Sequence, residues 1–569
     1  MPRDLRRREF LGAGLAAVGS YLIASTARGR GWDPPPLVRP WPDWAAVPST
    51  TPILRIPAVS PTVSIGGLPF HPKWLGDSFS GGGFPFHTPE APPRWAALDE
   101  HVDVAIVGGG LSGLATAHEM RDRDFVLFDL RDRFGGNAIG EEWKRIPYSL
   151  GSAYFMVPDD GDALDRLYTS LGVYEAARID EGSGFRIEYG DVLLDDLCAD
   201  CTQEERLAFE RYRAAVLHYA NNAYPYLPWI DAASEAVVRS LDGQTFHEAV
   251  TAACAGPVPA LLAKAIQAYC YSSFGVGWDE LSAAAGWNFV AAEEFGRIVL
   301  PGGNAGFATM LWDSLAALPP RANGRARLRG NCMVTAMRLD RHGVALSYRG
   351  PGGEPRTLGA NQVVYAGSKH IFPHLVEGLA AIDPAKYEAT QRVHTVGYIV
   401  ANVLLNRPVH PEFYDIFSIH DDQFPMGDEA FEQDRRITDC LDGSFAYATA
   451  HPQGDVLTLY WPLPWHTARF TIIDDASLTT YATLAAPQIR RLLALVGMSA
   501  SDINSIRMAR WGHAMPWAPP GTYSDELCAE LRRPLADRIW FANQDNWLLP
   551  AVETCLTEAM WVAKHLPRS

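Results

Sequence analysis

Basic residues are in deficit: 49 Lys and Arg stand against 66 Asp and Glu in 569 residues, a formal net charge of −17. That argues against a nucleic-acid partner, because phosphate binding needs a basic footprint. An acidic surface serves solubility first and can also favour cationic substrates. The signs of disorder are missing too, since 47% of residues are hydrophobic and 20% charged, an ordinary globular composition. Cysteine is sparse, eight in all, which excludes a disulfide scaffold for a chain of this size. Cys198 and Cys201 form a CxxC with no second CxxC or paired His to complete a zinc set, and no CxxCH marks covalent haem. A redox pair, a disulfide and a chance spacing stay open, and no metal site is expected. There is no internal repeat, and no apolar run reaches the roughly 20 residues that span a membrane.

What is present begins with an address. Residues 6–11 read RRREFL and lead into a weakly apolar Gly/Ala-rich run over 12–24, with small residues near Ser25 and Ala27. Arg7, Arg8, Phe10 and Leu11 follow the twin-arginine pattern. Residues 1–30 are therefore expected to be a twin-arginine signal peptide, with export machinery as a partner and the periplasm as destination. Residues 31–100 are rich in Pro and Gly, with Pro34, Pro35 and Pro36 and then Gly81, Gly82 and Gly83. Proline fixes φ and blocks regular pairing, so an extended arm is expected there, not a domain. The 42 Pro and 17 Trp also suggest extended segments and aromatic-lined cavities.

The chemistry starts at residues 102–107, VDVAIV, a short apolar run rich in β-branched residues, as a buried parallel strand requires. GGGLSG follows at 108–113, and then a helical pattern over 114–120. Gly108 makes the tight turn, Gly110 admits a pyrophosphate close to the backbone, and Gly113 lets helix and strand approach. The pyrophosphate then meets the helix N-terminus, where free N–H groups and the dipole favour negative charge. With 49 glycines, such a spacing arises by chance in about one chain in three, so context must decide. Context agrees: a second strand over 125–128 ends at Asp129, 21 residues after Gly108, placed to accept hydrogen bonds from both ribose hydroxyls.

Arg131, Asp132, Gly135, Gly136 and Asn137 follow at once. Here the chain resembles the flavin amine oxidase superfamily, which includes the phytoene desaturases and carries an acidic residue and then Arg-Asp-x-x-Gly-Gly-Arg. The resemblance implies FAD. Asn137 stands in place of the final Arg. Three further stretches fit, so that the likeness spans most of residues 100–569. Residues 148–154, with Gly151 and Ser152, resemble the segment passing the flavin ring. Residues 301–304 precede a helix, and 329–348 read as a hairpin whose Val334 would contact adenine through its backbone. Residues 538–545 form a strand and turn with Asn543 and Gln544 where Gly and Glu are usual, before Glu553 in the last helix. A helix N-terminus at the flavin's pyrimidine end would stabilise reduced flavin.

On the substrate side, 160–290 read as mainly helical, with 204–220 amphipathic and 258–270 apolar at helical spacing. Strands at 398–405 and 456–461 and a helix at 477–495 are expected beyond. Trp287, Trp511 and His513 are the candidate catalytic residues: aromatic faces can hold a cationic amine, and His513 can take or give a proton. Each also reads as an ordinary core tryptophan or a satisfied structural histidine. Family oxidases carry a Lys water-bridged to flavin N5, but residues 398–405 hold none, and Ala551 replaces the usual aromatic near the C-terminal Glu. Both departures favour a dehydrogenase passing electrons to an unidentified acceptor over reaction with oxygen. Lys369 has no evident place at the flavin.

The expected fold is α/β. A discontinuous Rossmann-like FAD-binding domain (101–157, 300–375 and 530–569) would be joined to a mixed α+β substrate domain (158–299 and 376–529). The resemblance implies oxidation of a C–N bond of a small amine, with polyamines suited to the acidic charge and to a spermidine-dehydrogenase-like relative. Two rivals remain: an FAD-dependent desaturase or isomerase of a lipid-like substrate, and a non-catalytic flavin-binding assembly protein.

Overall fold

The computed structural model describes residues 53–57, 61–78, 98–182, 185–194, 196–341, 343–350, 355–410, 413–419, 437–447 and 453–568. The leader expected at 1–30, and the arm outside 53–57, 61–78 and 98–100, lie outside the described residues.

Two sheets organise the chain. The first has seven strands, in the order Leu328–Arg329, Phe125–Phe128, His101–Val107, Pro355–Tyr365, Gly343–Arg349 and Met333–Asp340, with Ile539–Phe541 added beside Pro355–Tyr365. His101–Val107 runs parallel to both neighbours and buries five of its seven residues, which is why it reads as a mainly apolar run. Met333–Asp340 and Gly343–Arg349 form the expected antiparallel hairpin. The helices Leu111–Glu119, Asn304–Ala316 and Val552–His565 pack together over this sheet. Val376 and Leu379 share its apolar core as well.

The second sheet has ten strands, with Thr395–Leu405 between Asp455–Pro462 and Ile503–Pro516 at its centre. All residues of Thr395–Leu405 are buried, and alternation divides them between two faces. Ile399, Ala401 and Val403 pack toward the helix Ser477–Leu495, while Tyr398 and Val400 face the other unit. The helices Gln203–Asn221, Ala232–Asp242, Phe246–Cys254, Ala260–Phe274 and Ala283–Ala292 build a separate apolar core beside it. Cys198 and Cys201 are joined as a disulfide just before the first of these. No described helix is long and apolar enough to cross a membrane.

The described part of the arm is more regular than its proline content suggests. Val63–Ile65 and Leu68–Phe70 form a hairpin over Gly66 and Gly67, both at positive φ, the backbone such a tight turn requires. The hairpin lies on the edge of Ile503–Pro516, and Leu75–Gly76 pairs with that same strand. The regular pairing is possible because the densest prolines, at 34–36, precede these residues.

Candidate functional site

Glycine builds the fingerprint turn because nothing larger fits. Gly108 has φ +108°, and a Cβ on Gly113 would lie 1.8 Å from the Gly108 carbonyl oxygen. A Cβ on Gly109 would sit 2.3 Å from the Phe134 ring. Gly110 and Gly136 bring two backbones within van der Waals distance, and Gly135 N donates to Gly109 O at 2.7 Å. The helix Leu111–Glu119 starts at Gly110 with no side chain capping it, so its first turn offers N–H groups to a ligand.

The turn opens on one cavity of about 890 Å³. Gly108, Gly110, Asp129, Arg131, Gly135, Gly136 and Asn137 line one end, with Val334 from the hairpin. Gly113 lies beneath, in contact with Gly108. Asp129 accepts from Gly109 N at 2.9 Å through Oδ2 and from Arg131 N at 2.7 Å through Oδ1. Burial raises its carboxyl, and the Arg131 charge and both N–H donors oppose that rise. Its first task is therefore to tie the two nucleotide turns together. Arg131 donates Nη1 to Gly136 O at 2.8 Å and pairs through Nη2 with Asp77.

Toward the middle, Gly151 packs so close to Asn137 that a Cβ would lie 2.2 Å from its carbonyl oxygen. Ser152 Oγ accepts from Asn304 Nδ2 at 2.7 Å, and Asn304 opens another helix without a side-chain cap. Asn543 donates Nδ2 to Gly367 O, and its buried Oδ1 has no hydrogen-bond partner among the described residues. Gln544 stands beside it against Cys555 Sγ. Glu553, in the first turn of Val552–His565, accepts from Met156 N at 2.6 Å. Burial pushes its carboxyl up, and the charge of Glu293 adds to the rise.

The three candidate catalytic residues part company. Trp287 is 1% exposed and sits among Tyr212, Tyr219 and Phe246 in the helical core, away from the cavity. Every position around Ala283–Ala292 but one is buried, so periodicity carries no sign of which face meets the site, and Asn288, Phe289 and Ala292 are the residues that do. Trp511 lines the cavity, but its Nε1 donates to Leu150 O at 2.8 Å and Arg131 lies over its ring at 5.4 Å. The cation it faces is thus a protein guanidinium, which makes it wall more than substrate cage. His513 lines the cavity too, with Nδ1 2.7 Å from Thr395 Oγ1 and its ring stacked 3.6 Å from His370. Two imidazoles at that spacing cannot both be charged at low cost.

Beyond His513 the cavity is lined by Tyr154, Tyr398, Tyr460, Phe289 and Glu293, and its lining includes Ile230, which is 68% exposed. Asp159 and Asp162 line that part. Glu293 is held by Arg297 at 2.7 Å, which also pairs with Asp415 at 2.9 Å and covers the Tyr154 ring at 4.5 Å. Behind this wall Asp439 accepts from Ser272 and Thr438 hydroxyls, and burial pushes its carboxyl up to about 6. Lys369 is fully buried outside the cavity, donating to Leu531 O at 2.8 Å over the Phe541 ring. Glu293, His370 and Asp77 escaped the reading of the sequence. Glu293 had a signal, a carboxylate pair directly after an uncharged helix; Asp77 had none nearby.

A family model described as an NAD(P)-binding Rossmann-like domain matches residues 106–171. The oxidoreductase PigB of Serratia sp. (strain ATCC 39006) is 23% identical over 550 residues, covering 86% of this chain and 78% of that protein. A wild-type putrescine oxidase solved with putrescine bound superposes with a TM-score of 0.59 at 15% identity, covering 82% of this chain and 98% of that one. Cyclohexylamine oxidase from Brevibacterium oxydans IH-35A gives 0.58 at 17% identity with the same coverage. The chain shares the fold of these two amine oxidases.

Proposed function

We propose that this chain is an exported FAD-dependent oxidoreductase that oxidises a C–N bond of a cationic amine. The observation that carries the reading is the single cavity joining a dinucleotide cradle to a chamber of tyrosines and carboxylates. FAD fits the residues at the cradle end. Uncapped helix starts at Gly110 and Ala551 would offer N–H groups to it, and Asn543 Oδ1 is a buried acceptor without a partner among the described residues. Bound there, FAD supplies a two-electron acceptor for the hydride on the carbon next to nitrogen.

The chain's own residues handle the rest. Glu293, Glu553, Asp159 and Asp162 give the chamber a negative lining that draws an ammonium inward. Tyr154, Tyr398 and Tyr460 stay protonated, their phenols raised by burial, and exclude water around the reacting carbon. The ammonium must lose a proton before its carbon can release hydride, and the His370–His513 stack on the cavity wall holds that proton. The imine product then hydrolyses. The cavity face of Thr395–Leu405 presents Tyr398 and Val400 where amine oxidases carry a lysine, which supports an electron acceptor other than oxygen. Putrescine, bound in the structurally similar oxidase, and longer polyamines are the leading substrates.

The test is anaerobic bleaching of the flavin band with a panel of polyamines, monoamines and amino acids. Bleaching by one amine class, slow re-oxidation in air and fast re-oxidation by an artificial acceptor are expected. A flavin that no amine reduces would remove the amine assignment, and absence of flavin after reconstitution would remove the cofactor. Export is tested by replacing Arg7 and Arg8 with Lys, which should leave the precursor in the cytoplasm.

A further inference from the structure

Asp77 gathers two distant parts of the chain onto one carboxylate. Its Oδ1 takes Nη2 of Arg131 from the second nucleotide turn, and its Oδ2 accepts Gly512 N at 2.9 Å from the strand carrying Trp511 and His513. The backbone of Asp77 is clamped at the same place: its N–H donates to Arg510 O at 2.9 Å and its carbonyl accepts from Arg510 Nε at 3.0 Å. Gly76 allows the approach, since it has φ +77° and a Cβ there would lie 2.4 Å from Arg510 O. Trp74 anchors the segment from the other side through Nε1 to Ser477 Oγ at 3.2 Å. Asp77 lines the cavity itself, and its side chain is 14% exposed.

Arg131 passes this constraint to the cradle. Its other nitrogen holds Gly136 O, its backbone N–H is held by Asp129, and its guanidinium covers Trp511. The gap between the nucleotide turns and the ring-facing strand is therefore set by a carboxylate that belongs to neither. We propose that residues 74–77 are a strap across the cofactor slot, with Asp77 as a positioning residue that retains FAD; this rests on the FAD reading above. Without Asp77 the Arg131 Nη2 and the Gly512 N–H both lose their acceptor, and the slot can open along the line between the two units.

Linkage makes the proposal testable without turnover: if the docked strap strengthens FAD binding, FAD must strengthen strap docking by the same factor. Apo full-length protein is titrated with FAD while hydrogen exchange is followed over residues 68–77. In the wild type FAD should slow that exchange. In Asp77→Ala the FAD dissociation constant should rise about tenfold, the loss expected for hydrogen bonds to a charged group, and the slowing should vanish. Gly76→Ala, which leaves every charged group in place, should weaken FAD in the same direction, and Asp77→Asn should lie between. Asp77→Ala and Asp77→Asn binding FAD within about twofold of wild type would overturn the strap, as would wild-type exchange indifferent to FAD. If the alanine variant fails to fold, the isosteric Asp77→Asn decides. A wild type that takes up no FAD overturns both readings, which sets that failure apart from the strap's own.

Discussion

Three helices beside the second sheet begin differently from the three that pack over the first. Gln203–Asn221, Ala232–Asp242 and Phe246–Cys254 each start with a complete capping box, Thr202 with Glu205, Asp231 with Ser234 and Thr245 with Glu248. Leu111–Glu119, Asn304–Ala316 and Val552–His565 start at Gly110, Gly303 and Ala551 with no capping side chain at all. A cap satisfies the orphan N–H groups of a first turn and contributes about 1 kcal/mol. The three capped helices satisfy themselves; at Asn304–Ala316 the carbonyls of Ser152, Gly302 and Gly303 take the first N–H groups, and Leu111–Glu119 and Val552–His565 leave that role to a ligand. Self-satisfied and ligand-ready first turns thus belong to different helices.

The strongest way to break that contrast is to block the ligand that completes it. Gly113→Ala drives a Cβ into the Gly108 carbonyl, so the purified variant should contain no flavin by absorbance while the apo form still folds by circular dichroism. A core change on the other side should do the reverse. Trp287→Ala should cost about 3–5 kcal/mol in denaturant unfolding, while Trp287→Phe should keep kcat near wild type. A large loss of kcat in folded Trp287→Phe would return that residue to the catalytic list.

Asp439→Asn sharpens the comparison through pH. The folded carboxyl titrates near 6 and the unfolded one near about 3.9, so the folded state holds the extra proton between those values. Wild-type stability should therefore fall as pH rises from about 4 to about 6 and stay lower above. The Asn variant should lack that fall and be the more stable protein at pH 8 in urea unfolding, by at most about 3 kcal/mol. The smallest effects are at the caps. Thr245→Ala should cost about 1 kcal/mol whether or not FAD is present. Ala551→Asp should stabilise the apo form by about 0.5–1 kcal/mol and weaken FAD, because the new carboxylate competes for the N–H groups the cofactor uses. Equal thermal shifts with and without FAD for Ala551→Asp would erase the distinction between the two regions.

Local signals explain what the sequence made legible. The strand before Gly108, the glycine spacing and Asp129 are read within 30 residues, and all serve one turn. The strand Thr395–Leu405 and the helix Ser477–Leu495 announce themselves by composition. Trp287 did not, since a helix buried on nearly every side has no face for a pattern to mark. Asp77 could not, because its meaning comes from partners 54 and 435 positions away. The disulfide between Cys198 and Cys201 lay between these cases: spacing permitted it, and the backbone of the loop decided it.

The hairpin of Val63–Ile65 and Leu68–Phe70 carries a consequence for the order in which this protein assembles. Its partner strand, Ile503–Pro516, is synthesised more than 430 residues later. Pairings of such sequence separation close the largest loops and form late. The ribosome delivers the arm long before its partner, so its seat on the sheet edge exists only once Ile503–Pro516 has been made. Docking of the arm is thereby a record of completed folding, and an interrupted chain leaves the edge of its central sheet uncovered, where other strands can add to it.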